Sequence, residues 1–252
     1  NGRTFLSRRP SHFKQAQAHY FRKLYRKAAE AFNDFLVRWP TAAPERLAEA
    51  TLQLGLAQSE ARDQYTQAAE TLANFAADWP DHERTSYALL LAAHAYLEHD
   101  RPVPAMVQLT NIIENFKDTK EYPYAIYWRS YLLLANGQPE QAEDDGVKFV
   151  IEHGKSHREL AAEVLLWLGH EVSDDQPTAA ENYFLQLVKD FPDSRYAPEA
   201  LYRAAENVYN QGRHANAIAY IDQLFADYPD GPERVKAQAW YLRGDMESTI
   251  NR

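Results

Sequence analysis

Asp193-Ser194-Arg195-Tyr196 opens a stretch that runs on through Ala200-Leu201-Tyr202-Arg203-Ala204-Ala205-Glu206-Asn207-Val208-Tyr209. It turns at Gln211-Gly212-Arg213, resumes at Ala215-Asn216-Ala217-Ile218 and closes on Phe225-Ala226-Asp227-Tyr228-Pro229. From Pro198 to Tyr209 the apolar positions Leu201, Ala204, Ala205 and Val208 recur at three and four residues, one face of a helix. Pro198 sits where a first-turn proline loses no hydrogen bond, and Gly212 supplies the left-handed residue that ends a helix. Ala217, Ile221, Leu224, Phe225 and Tyr228 form a second helical face, which Pro229 stops. The stretch therefore predicts an antiparallel helix pair.

The same unit recurs along the chain. The small residue opening each second helix is Ala28, Ala68, Ala105, Ala142, Ala180 and Ala217, at separations of 40, 37, 37, 38 and 37. Eleven residues beyond each stands Trp39, Trp79, Phe116, His153, Phe191 or Tyr228, followed by Pro40, Pro80, Lys117, Gly154, Pro192 or Pro229. The first helices carry their own small residue at Ala16, Gly55, Ala93, Ser130, Gly169 and Ala205. Four residues after the alanines come Phe32, Leu72, Leu109, Phe184 and Ile221, with Gly146 in the most degraded, fourth copy. Small residues let paired helices approach closely, and the terminal aromatic fills the gap toward the next pair. Internal repetition dominates the sequence.

This pattern resembles the tetratricopeptide repeat, with an extended period. Endings such as FPDSRYAPEALY (191–202) and YPDGPERVKAQAWY (228–241) are similar to those of bacterial cell-envelope tetratricopeptide proteins of the BamD and Tol-Pal coordinator type. The resemblance implies an all-α, right-handed α-solenoid of about six helix-turn-helix pairs plus a C-terminal helix. The expected boundaries are 11–40, 41–80, 81–117, 118–154, 155–192 and 193–229, with a terminal helix at 230–252, in a single solenoid over 11–252. Residues 1–10, with Arg3, Arg8, Arg9, Gly2 and Pro10 and no helical face, read as a tail or linker remnant. The terminal segment either caps the array or opens a further repeat.

Composition narrows the function. The 252 residues carry a net charge of −9, which argues against nucleic acid as a partner. The absence of cysteine excludes disulfides, thiol catalysis and thiolate metal sites. Mean hydropathy is −0.60 and no run approaches the roughly 18 apolar residues of a membrane span, so no transmembrane segment is expected. The chain begins at Asn1 rather than Met, which leaves room for a processed leader or a lipid anchor upstream.

No catalytic set stands out, and no cofactor or metal is expected. His153 and His157 have metal-ligand spacing, but Gly154 interrupts them and turn or surface roles fit better. Asp144-Asp145 and Asp174-Asp175 are adjacent pairs suited to solvated surface rather than acid/base work. There is no Gly-rich phosphate loop and no Gly-x-Ser-x-Gly elbow. What remains is the groove that first helices line in such arrays. Positions six and three before each small residue, and one and four after it, place Tyr87, Leu90 and His94, Tyr124, Tyr127 and Tyr131, and Glu199, Tyr202, Glu206, Tyr209 and Tyr241 along it. At these positions the lining is aromatic and acidic without Lys or Arg, which suits a protein or peptide partner of neutral to basic character. The competing reading is that individual tyrosines pack between helix pairs. The resulting expectation is a non-catalytic interaction scaffold of a bacterial envelope complex, in the periplasm or at the outer membrane, of unknown oligomeric state. Self-assembly through Trp240 or Phe21, or a glycan-binding accessory lipoprotein, are the alternatives.

Overall fold

A computed structural model describes the backbone of residues 2–250 and the side-chain surroundings of residues 12–246. Among the described residues there are thirteen helices and no strand. They are α1 (Gly2–Phe21), α2 (Tyr25–Arg38), α3 (Pro44–Glu60), α4 (Tyr65–Asp78), α5 (Thr85–Leu97), α6 (Pro102–Asn115), α7 (Tyr122–Ala135), α8 (Pro139–His153), α9 (Arg158–Glu171), α10 (Pro177–Asp190), α11 (Ala197–Asn210), α12 (His214–Asp227) and α13 (Glu233–Ile250). Their contacts group into two compact units, residues 1–132 and 133–252. In the first, each helix from α1 to α6 packs on its sequence neighbour. The second repeats this from α8 to α13, and α13 also reaches α11.

The repeat register is visible as burial. Ala28, Ala68, Ala105, Ala142, Ala180 and Ala217 are all fully buried, as are Phe32, Leu72, Leu109 and Ile221. Close approach is tightest where the first helix carries glycine. A Cβ on Gly55 would lie 2.6 Å from Leu72 Cγ, and one on Gly169 would lie 2.4 Å from Phe184 Cε1. The degraded fourth copy follows the same logic: Gly146 leaves room that Trp167 and Val164 of α9 fill, 3.1 Å from where its Cβ would stand.

Helix endings repeat too. Trp39, Trp79, Phe116, Phe191 and Tyr228 are C-caps with φ between −126° and −132° and ψ between 45° and 65°. Each bonds back to the carbonyl four residues earlier, and its own carbonyl accepts from the N–H three residues on. A following proline disfavours the helical conformation at four of them. Phe116 precedes Lys117 and adopts the same geometry, so packing of the aromatic enforces the stop as well. In the fourth copy the helix runs through His153 and Gly154 caps it with helical angles.

α1 begins at Gly2, within the segment read as a tail or linker remnant; once Phe13 and Ala16 are packed, each added residue gains a hydrogen bond without a new nucleation cost. Asn1 lies outside the described residues. The inter-helix turns also do not all rely on glycine. Gly137 and Gly212 have φ of 71° and 74°, but Lys23, Arg62 and Asp100 adopt φ of 58°, 60° and 53°. That conformation costs a non-glycine residue about 1–2 kcal/mol. Bonds that close the helix end, such as Leu24 N–H to the His19 carbonyl and Arg101 N–H to the Tyr96 carbonyl at 2.9 Å each, offset it.

Gly169→Ala should cost about 1–3 kcal/mol by forcing Phe184 out of place. Gly244→Ala, within α13 with nothing near its Cβ, should stabilise by roughly 0.5–1 kcal/mol. Chemical denaturation of the two variants tests both signs.

Candidate partner-binding surfaces

In the first unit the expected residues come from α5 and α7. Tyr87, Leu90, His94 and Tyr127 are half-buried, while Tyr124 and Tyr131 are 39% and 53% exposed. The centre of this cluster is Trp128, which the register did not select. Its ring meets His94 at 5.1 Å, Tyr127 at 5.4 Å and Tyr131 at 6.1 Å, each edge-on. Burial holds the His94 imidazole below its ordinary pKa, with Glu98 opposing the shift. At the start of the same helices Arg84 and Lys120 lie over the Tyr87 ring, 5.1 and 5.8 Å from its centroid. A cavity of about 450 Å³ opens there, floored by buried Glu121, which accepts a hydrogen bond from Ser86 Oγ at 3.0 Å.

In the second unit the expected residues come from α11 and α13. Basic residues stand beside the expected positions. Arg203 lies between Glu199 and Glu206, donating to them at 2.9 and 2.8 Å, and Arg234 of α13 also reaches Glu199. The two glutamates are thus compensated internally rather than presented as bare charge. Tyr202 is buried, 6% exposed, and its hydroxyl donates to Glu206 at 2.9 Å. Burial and that acceptor push its phenol up to about 12. Tyr209 donates to Asp245 of α13, and Tyr241 is 82% exposed. Beside this network a polar cavity of about 360 Å³ is lined by His170, Asp174, Arg203, Glu206, Asn207 and Gln211.

Trp128 and Arg203 were missed for one reason. Both stand two residues before the small residue, at Ser130 and Ala205. That position is four from the first selected position and three from the third, so it lies on the same helical face. A template including it would have found both.

Asp145 is buried and Asp144 exposed, so the pair faces two ways; Asp174 and Asp175 are exposed in a turn. Buried Glu181 accepts two bonds from Arg213 and one from Tyr220 at 2.7 Å. His153 and His157 rings meet edge-on at 6.3 Å against Phe149. Among the described residues no group of three His, Cys, Asp or Glu could hold a metal, and no helix is long and apolar enough to cross a membrane.

The family model described as outer membrane lipoprotein, YfiO, matches residues 56–206 and 168–251. The fold is similar to a tetratricopeptide repeat protein from Parabacteroides merdae at 19% identity and TM-score 0.58, covering 96% of this chain and 87% of that one. It is similar to YrrB, described as a tetratricopeptide protein with an unusual peptide-binding site, at 14% identity and TM-score 0.57, covering 86% and 99%. Pseudomonas aeruginosa pilF matches at 15% identity and TM-score 0.53, covering 97% and 100%. At these identities the structural likeness establishes the fold. No protein of curated function matches the sequence.

Glu199→Ala should cost about 1–3 kcal/mol, since it leaves Arg203 and Arg234 each short of a charged acceptor. His94, with its folded pKa depressed, contributes stability that is present above the unfolded value near 6.5 and lost as pH falls below it. Urea unfolding at pH 7.5 and 5.5 should show a smaller pH difference for His94→Gln than for the parent.

Proposed function

The chain belongs to the YfiO family of outer membrane lipoproteins and is built of tetratricopeptide repeats, and on that premise we propose that it is a non-catalytic protein-interaction scaffold of a bacterial envelope complex. The single array read over residues 11–252 belongs to the same proposal. The observation that carries it is the tyrosine surface around Trp128: Tyr124 and Tyr131 keep exposed rings, while the Trp128 ring meets His94, Tyr127 and Tyr131 edge-on. A rigid aromatic base with exposed tyrosine faces contributes large contact area at little entropic cost, which favours an extended peptide or a partner helix.

The partner fits a neutral to basic character. In the second unit Glu199 and Glu206 are already paired, so attraction for a basic segment does not rest on them. Tyrosine faces, not charge, would supply most of the affinity. Location in the periplasm or at the outer membrane follows from the family's description and belongs to the same reading.

Cross-linking capture from an envelope fraction should recover a partner with the parent chain and lose it with Tyr124→Ala/Tyr131→Ala. Both side chains are partly solvent-facing, so the variant should keep its helicity and melting temperature. Equal capture by parent and variant would place binding on another surface. A mass that rises with concentration, and falls when Trp240 and Tyr241 are changed, would favour self-assembly instead.

A further inference from the structure

The net charge of −9 is unevenly distributed. Residues 1–38 contain nine Lys and Arg against Glu30 and Asp34, a net of +7, so residues 39–252 carry −16. Within the described part, the positive excess gathers at the turn joining α1 and α2, Phe21-Arg22-Lys23-Leu24-Tyr25-Arg26-Lys27. Phe21 is 80% exposed and Leu24 37% exposed, and Arg22, Lys23, Arg26 and Lys27 are all exposed around them. Arg26 pairs with Asp63. No carboxylate among the described residues pairs with Arg22, Lys23 or Lys27. Exposed Lys14 and Ala18 extend the stripe along α1, at the spacing that shares a face with Phe21 and Arg22.

An exposed aromatic ring framed by unneutralised cations has a specific physical use. An exposed helix-pair turn meets a flat, fluid surface without needing a shaped partner. Its cations lie at the level of anionic headgroups, and its apolar side chains enter the boundary with the acyl chains. An acidic protein surface would answer the cations but would need a pocket matched to Phe21 and Leu24. We propose that the α1–α2 turn docks reversibly on an anionic phospholipid surface through Phe21 and Leu24, framed by Arg22, Lys23 and Lys27.

The test is co-sedimentation of the full chain with vesicles of phosphatidylcholine alone or mixed with phosphatidylglycerol, at low and physiological salt. Binding is expected to the anionic vesicles only and to weaken as salt rises. Neutralising a cation near the surface lowers partitioning roughly fivefold, so Arg22→Gln/Lys27→Gln should bind about 25-fold less well. Phe21→Ala should bind several-fold less well with an unchanged melting temperature, since that ring is solvent-facing. No binding by the parent chain, or equal binding by the variants, would overturn the proposal. So would capture of polyglutamate at least as tight as of anionic vesicles and indifferent to Phe21→Ala, which would assign the turn to an acidic protein. Self-association lost in the same variants would also overturn it, as a contact between copies.

Discussion

The structure depends on how closely the two helices of a pair can approach. Each second helix offers a fully buried alanine, and the residue four positions on, at Phe32, Leu72, Leu109, Phe184 or Ile221, lies buried on the same face. Where the facing first helix has glycine, the side chain opposite lies flat against bare backbone, as Phe184 does at Gly169 and Leu72 at Gly55. Such contacts leave no space to be filled by adjustment, so the period of the sequence becomes the period of the fold. The fourth copy keeps the rule while exchanging its parts: the large residue is lost at Gly146 and regained from Trp167 of the next helix.

Regular packing frees one face of each first helix for other work. In the first unit that face collects aromatic rings, and in the second it collects a charge network in which Arg203 ties two glutamates together. The two surfaces therefore differ in chemistry. One offers exposed tyrosine over a fixed tryptophan. The other is closer to a finished structural network, with Tyr202 buried in it and its hydroxyl held protonated well above neutral pH. The tyrosines at equivalent repeat positions are not equivalent in exposure, because each is surrounded by whatever the adjacent helix supplies.

The same contrast separates the basic α1–α2 turn from the cations farther along the chain. Arg203, Arg213 and Arg234 each meet carboxylates of a neighbouring helix or of their own. Arg22, Lys23 and Lys27 sit where the local sequence is poor in acid, with Glu30 and Asp34 the acids of the first 38 residues. An uncompensated charge beside an exposed phenylalanine is a surface waiting for an external counterpart, whereas a compensated one contributes to the fold.

The sequence by itself determined the helix pairs, their period, the alanine positions and the aromatic stops, since each follows from local periodicity or from a residue whose backbone preference is strong. It also marked which helix face to inspect. Only the tertiary structure decided that Tyr202 is buried while Tyr131 is exposed, that Arg203 neutralises the acids beside it, and that Lys23, Arg62 and Asp100 hold a conformation usually left to glycine. Contacts about 35 positions away along the chain add to these, such as Arg234 beside Glu199 and Glu121 beside Ser86, and no local period can specify them.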